Sequence, residues 1–146
     1  MMRLRIETEV NSSLATIKAG FTQELFLALN PPFPPVKLNQ FDGCEKGDWV
    51  KLQLNFFLFK QEWVSLITED SFEEKKWYFV DEGKKLPVFL QKWKHRHIVQ
   101  QKEGFSLIID DITFSTGTVL TNLLMLPALY LQFLYRKPIY KKSFSK

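Results

Sequence analysis

Two hydrophobic periodicities follow each other in the N-terminal part of the chain. Residues 4–10 alternate between apolar or threonine side chains and charged ones, and this period of two predicts a strand with one exposed face. Good helix N-cap residues follow at 11–13, and apolar residues then recur at helical spacing. We therefore predict two short helices at about residues 12–19 and 22–29. Four prolines within residues 31–35 end the second helix.

Strand patterns then succeed one another up to residue 114. Alternating apolar and polar residues, separated by short turn signals, predict six strands at residues 36–42, 50–56, 62–68, 76–80, 89–101 and 105–114. The charged segments 69–71 and 81–85 are interpreted as loops between these strands. Successive strands with short connections are typical of an antiparallel meander.

The most apolar part of the chain lies near its C-terminal end. No charged residue occurs between Ile112 and Tyr135, and basic residues follow from Arg136. A membrane-spanning helix needs about 20 apolar residues, whereas this segment contains Pro127 and several threonines. One stripe at steps of three and four residues is more polar than the rest and comprises Thr118, Asn122, Met125, Leu129, Gln132 and Arg136. This stripe favours a helix at about residues 116–136 whose other sides are covered by protein, and not a stable membrane span.

Composition adds an unusual aromatic content to this picture. The 146 residues suit one domain, 1–146, and 45% hydrophobic with 25% charged residues exclude disorder along the whole chain. The 14 Phe, 4 Trp and 4 Tyr residues can fill a core or line a cavity for apolar ligands. The net charge of +4 is too small to indicate nucleic acid binding. Cys44 is the single cysteine, which excludes an intramolecular disulfide and favours a reducing compartment, the cytoplasm.

Two of the predicted strands place histidines and a carboxylate among aromatic residues. Alternate positions of a strand share one face, and a two-residue turn at residues 103–104 fixes how the last two strands pair. The resulting register makes three cross-strand pairs on one face: His97 with Asp110, His95 with Ile112, and Trp93 with Phe114. The polar pair is structural, ligand-orienting or an acid–base pair, and the residues leave these alternatives open. Because two histidines and one aspartate offer few ligands, no metal is expected.

The order of elements and several local motifs resemble the SRPBCC (START-like) superfamily, in particular a bacterial ligand-binding subgroup. These motifs lie at residues 31–33 (PPF), 41–43 (FDG), 47–48 (GD), 93–97 (WKHRH), 110–114 (DDITF) and 133–136 (FLYR). The resemblance implies an α+β helix-grip fold. In that fold a seven-stranded curved antiparallel sheet, with element order β-α-α-β6-α, surrounds a long C-terminal helix.

The resemblance also implies a function, the binding of a small hydrophobic ligand (lipid, aromatic or polyketide-like) between sheet and helix. No cofactor is expected. The candidate ligand-binding residues are Trp93, His95, His97, Asp110, Ile112, Phe114 and Tyr130. One alternative is a cyclase- or dehydratase-type enzyme that uses His97 and Asp110 as its acid–base pair. Another is an interaction module whose C-terminal helix offers Met125 and Leu129 to a partner or to a membrane surface, and a homodimer also stays open.

Overall fold

Seven strands form one antiparallel sheet within residues 1–145, which are the residues that the computed structural model describes. In chain order the elements are β1 (Met2–Val10), α1 (Leu14–Gly20), α2 (Gln23–Leu29), β2 (Val36–Phe41), β3 (Trp49–Asn55), β4 (Lys60–Phe72), β5 (Lys76–Lys85), β6 (Lys92–Gln101), β7 (Ser106–Ser115), α3 (Val119–Leu134) and α4 (Arg136–Ser143). The strand order in the sheet is β1-β7-β6-β5-β4-β3-β2, so β1 extends the meander at its β7 edge. The predicted α+β architecture is confirmed, and the last helix is divided in two.

The two short helices begin where the sequence places N-cap residues. The Ser13 hydroxyl accepts a hydrogen bond from the Thr16 amide at the start of α1. The Thr22 hydroxyl accepts one from the Leu25 amide at the start of α2. Each cap satisfies an amide that the helix itself leaves without a partner. Both predicted helices are therefore present, with ends shifted by at most two residues.

Strands β4 and β5 are longer than the sequence pattern predicts. The charged segments 69–71 and 81–85 lie within these strands and were wrongly interpreted as loops. Pairing continues through both segments, with Asp70 opposite Phe79 and Asp81 opposite Ile67. Register shifts interrupt β4 twice, and such bulges change which face a side chain takes. In this part of the sheet, alternate residues therefore do not always lie on the same face, and a period of two does not predict which side chains are buried.

Helix α3 is rotated about its own axis relative to the expectation from its apolar residues, so that the side expected to face solvent faces the sheet. The more polar stripe faces inward: Asn122 and Leu129 are buried, and Gln132 lines the cavity described below. The Asn122 side-chain oxygen accepts hydrogen bonds from the amide and hydroxyl of Thr116, which offsets its burial. Four leucines outside the stripe are exposed instead, namely Leu120, Leu123, Leu124 and Leu131, while Leu126 and Leu134 are partly buried against the core. Among residues 1–145, no helix is long and apolar enough to cross a membrane.

The basic segment after α3 is an integral part of the fold. It forms α4, whose Tyr140 is fully buried, and the ring of Phe144 behind it is buried against Gly20. Lys137 and Lys141 donate hydrogen bonds to the backbone oxygens of residues 7 and 9 in β1. The segment therefore closes one end of the core, a role that neither its charge nor the family resemblance predicted.

Candidate functional site

A cavity of about 200 Å³ lies between the sheet and α3. Its wall is mostly apolar and comes from α2, the inward faces of β2 to β6, and the inward side of α3. Representative lining residues are Leu25, Leu52, Phe56, Ile67, Trp93 and Leu129. The volume is below the roughly 300–1,000 Å³ typical of ligand pockets, so the cavity suits a small molecule or one segment of a longer one.

A group of ionisable side chains, here called the polar cluster, interrupts this apolar wall. Its members are Asp81, His95, His97, Asp110 and Arg136. Asp110 lies behind the wall, where its Oδ1 atom accepts from His95 Nε2 at 2.9 Å and from Arg136 Nη1 at 3.1 Å. Asp81 Oδ2 lies 2.7 Å from His97 Nε2. These bonds join three strands of the sheet to the first residue of α4.

The charges of the cluster stabilise one another in spite of burial. Burial alone would raise the pKa of Asp110, but the charge of Arg136 and the His95 hydrogen bond lower it to about 2. The pKa of Asp81 is also lowered, because the hydrogen bond from His97 and the neighbouring cations outweigh its burial. Burial and the proximity of His95 lower the pKa of His97 to about 4. At neutral pH both aspartates are therefore ionised and His97 is neutral.

The two histidine rings are held by stacking as well as by hydrogen bonds. The His97 ring lies 4.2 Å from the Phe79 ring and 3.5 Å from the His95 ring, centroid to centroid. Because Asp81 is ionised, Nε2 of His97 is the protonated nitrogen that donates to it. The Nδ1 atom of His97 is buried and has no hydrogen-bond partner among the described residues. The cluster therefore contains one basic nitrogen that no other group of residues 1–145 uses.

The same residues are arranged unfavourably for a metal ion. Asp81, His95 and His97 each bring one potential ligand atom within 4.8 Å of the others. Their imidazole rings, however, are stacked at an angle of 28°, so the in-plane lone pairs do not converge on one point. One nitrogen of each ring is also engaged by a carboxylate. We assign this group to hydrogen bonding and not to metal binding.

The structure brings only some of the predicted site residues to the cavity. Trp93, His95 and His97 line it, whereas Asp110 lies behind them. The predicted register is confirmed for all three pairs, His97 with Asp110, His95 with Ile112, and Trp93 with Phe114. The hydrogen bonds nevertheless run diagonally, because Asp110 bonds to His95 and His97 bonds to Asp81.

Three of the predicted cavity residues are placed elsewhere. Ile112 and Phe114 are fully buried in the core against Leu4 and Leu129, so they support the wall without forming it. Tyr130 is 41% exposed on the outer side of α3, because its position does not belong to the stripe that faces inward. Met125 and Leu129, expected as a surface for a partner, line the cavity instead.

Two residues of the polar cluster were not found from the sequence. Asp81 belongs to a charged segment that was interpreted as a loop, and nothing in its neighbours distinguishes it from the solvated charges beside it. Arg136 stands at the end of the polar stripe of α3, and that position was a usable signal. A cation in line with inward polar residues indicates an acidic partner inside the fold.

The comparisons with known proteins agree on the fold. No protein-family model matches the chain, and no curated protein is similar to it in sequence. Among solved structures, the Zhui aromatase/cyclase from Streptomyces sp. R1128 is 8% identical, with a TM-score of 0.70 over 94% of this chain and 90% of that one. The di-domain aromatase/cyclase StfQ of the steffimycin biosynthetic pathway is 9% identical, with a TM-score of 0.72 over 97% of this chain and 50% of that one.

A third similar structure is Ara h 8.0201, which is 14% identical, with a TM-score of 0.56 over 94% of this chain and 95% of that one. At such identities the likeness defines the fold alone. This chain therefore has the helix-grip fold, in which a curved antiparallel sheet surrounds a C-terminal helix. The fold that the resemblance to the SRPBCC superfamily implied is therefore confirmed.

Proposed function

We propose that this protein binds a small, mostly apolar ligand that carries one polar group. The observation that carries the proposal is the apolar cavity whose wall is interrupted by the polar cluster. Burial of apolar ligand surface contributes about 25 cal/mol per Å², which supplies the affinity. A few convergent polar groups then fix the orientation of the ligand.

The polar group of the ligand is expected to be a hydrogen-bond acceptor such as a carbonyl, hydroxyl or carboxylate oxygen. Arg136 lines the cavity, and its Nη1 atom donates to Asp110 and to the Tyr140 hydroxyl. A guanidinium carries five N–H donors, so Nε and Nη2 of Arg136 retain donors that no residue of 1–145 accepts. An acceptor on the ligand satisfies these donors.

Filling the cavity should abolish this binding without unfolding the protein. Leu52 is half-buried and lines the cavity, so Leu52→Trp should weaken binding of the fluorescent probe 1-anilinonaphthalene-8-sulfonate by about tenfold or more. The probe combines aromatic rings with one anionic group, as the cavity requires. Leu123→Trp is the matched control, because Leu123 is 52% exposed on the outer side of α3. Equal binding by both variants would show that the probe does not occupy the cavity.

A second candidate function is acid–base catalysis on a molecule held in the same cavity. It is favoured by the neutral His97, whose ring lines the cavity and is oriented by its hydrogen bond to Asp81. Two of the similar structures are aromatase/cyclases, so a linear polyketide analogue is the substrate to try. The test is the appearance of a cyclised product by mass spectrometry. A product formed equally by wild type and by His97→Gln would contradict a role of His97 in such a reaction.

A further inference from the structure

We propose that the end of the cavity lined by Phe56 and Phe89 docks onto the surface of an anionic lipid bilayer. The docking itself is independent of what the cavity holds. Its purpose, the exchange of an apolar ligand with the bilayer, rests on the proposed function. Three observations carry the inference: exposed apolar residues gathered at one end of the sheet, their continuity with the cavity wall, and the distribution of charge.

Four segments at one end of the sheet carry exposed apolar residues. This apolar rim comprises Phe33 before β2, Phe57, Leu58 and Phe59 in the β3–β4 hairpin, Val88 in the β5–β6 connection, and Val119 and Leu120 at the start of α3. Leu58 is 97% exposed, Val88 82% and Phe57 81%. Single exposed apolar residues need no explanation, but a contiguous group marks an interaction site.

The apolar rim is continuous with the wall of the cavity. Phe56 and Phe89 line the cavity and contact each other with ring centroids 5.7 Å apart. The Phe59 ring stacks on Phe56 at 5.2 Å, and the Phe33 ring stacks on Phe57 at 5.7 Å. An apolar molecule that leaves the cavity at this end therefore meets apolar side chains until it reaches whatever covers the rim.

The exposed side of α3, which begins at Val119 and Leu120 of the rim, is apolar as well. Leu123, Leu124 and Leu131 are between 52% and 69% exposed, and no charged side chain lies between residues 112 and 135. An exposed apolar helix side beside protruding aromatic loops presents several side chains that can enter the acyl boundary of a bilayer.

Charge at the rim end of the sheet is mostly positive. Four segments at this end, residues 31–37, 54–62, 84–94 and 113–121, contain six lysines and one acidic residue, Glu62, and the start of β1 adds Arg3 there. All six lysines are exposed, and they are Lys37, Lys60, Lys84, Lys85, Lys92 and Lys94. Glu62 is itself paired with Lys85 at 3.3 Å.

The opposite end of the sheet carries the reverse balance. Its connections, residues 42–48, 69–76 and 101–106, contain eight acidic and four basic residues. Each lysine near an anionic membrane contributes about 1 kcal/mol of attraction, so this polarity orients the apolar rim toward anionic lipid. Lysines spread over three of the four segments around an apolar tip match the extended negative surface of an anionic bilayer, and the combination therefore favours a bilayer.

Sedimentation with lipid vesicles tests the docking surface. The wild-type chain should sediment with vesicles of phosphatidylcholine mixed with phosphatidylglycerol, and much less with phosphatidylcholine alone or at high salt. Leu58→Asp should lower the partition coefficient about tenfold, because it removes a protruding apolar group. The double variant Lys60→Glu, Lys92→Glu should lower it by about tenfold or more.

Matched controls lie at the opposite end of the sheet. Phe72 is 56% exposed, and Phe72→Asp makes the same kind of change as Leu58→Asp. The double variant Lys75→Glu, Lys102→Glu makes the same charge change as the rim variant. Both controls should sediment like the wild type.

Equal sedimentation of rim and control variants would overturn the proposal, as would a wild-type chain that stays in the supernatant. So would a wild-type dimer that Leu58→Asp dissociates, since the rim would then be an interface between two copies. Probe binding by the cavity is measured without vesicles. A chain that binds the probe but not vesicles contradicts only the docking surface, and one that binds vesicles but not the probe contradicts only the ligand-binding function.

Discussion

Replacement of Arg136 by methionine should lower the free energy of unfolding by about 3–5 kcal/mol, since it leaves a buried carboxylate without its cation. Asp110 is 1% exposed, and the 3.1 Å bond from Arg136 supplies the nearest compensating charge. The same substitution removes the hydrogen bond from Arg136 to the Tyr140 hydroxyl. Chemical denaturation of wild type and variant measures the difference.

The double variant Asp110→Asn, Arg136→Met distinguishes the ion pair from simple packing. If the loss comes from an uncompensated charge, removing that charge should recover more than half of it. Tyr135→Ala serves as a control, because Tyr135 lies next to Arg136 but is 40% exposed, and it should cost much less. Losses that simply add in the double variant would contradict the account of the polar cluster.

As the pH falls, the protein should begin to lose stability at pH values well above those at which carboxylates titrate. His97 has a pKa of about 4 in the folded chain, against an ordinary value of 6.5, so the unfolded chain binds more protons between these pH values. The stability that this contributes is complete above pH 6.5 and is lost as the pH falls toward 4. The loss amounts to about 3 kcal/mol at most. Asp110, with its pKa of about 2, continues the loss below pH 4.

Thermal denaturation between pH 7 and pH 4 measures this dependence. In the variant His97→Gln the glutamine is neutral at every pH. The free energy of unfolding of this variant should therefore be nearly independent of pH between 7 and 4. The exposed Glu103 offers a control, and Glu103→Gln should leave the wild-type slope in place. A wild-type stability that does not change between pH 6.5 and 4 would show that His97 is not held in its neutral form by burial.

The register of β6 and β7 was predictable because one turn determines it. Gly104 has a positive φ of 84°, which permits the two-residue turn, and all cross-strand pairs then follow from alternation. Which side chains hydrogen-bond was not predictable in the same way. Asp110 reaches His95 diagonally since Arg136, brought in by the C-terminal helices, shares its Oδ1 atom.

The inward side of α3 was predicted wrongly, because the side with more apolar residues was expected to be the buried one. The inward positions Asn122, Gln132 and Arg136 are polar, but Asn122 and Arg136 have hydrogen-bond partners inside the fold. Asp110, the partner of Arg136, belongs to β7, so the C-terminal segment alone does not show it. Thr116, the partner of Asn122, lies just before α3. The exposed leucines of α3 are not covered by any residue of 1–145, and the docking proposal gives them a surface to contact.

The most direct test of a ligand-binding cavity is tryptophan quenching by a brominated octanoic acid, whose bromine quenches only rings that it contacts. Trp63 and Trp93 line the cavity, whereas Trp49 and Trp77 do not. We predict saturable quenching in the wild type and in the control Trp49→Phe, and its loss in the double variant Trp63→Phe, Trp93→Phe. Saturable quenching that persists in the double variant, or none in the wild type, would contradict the binding of an apolar ligand between the sheet and α3.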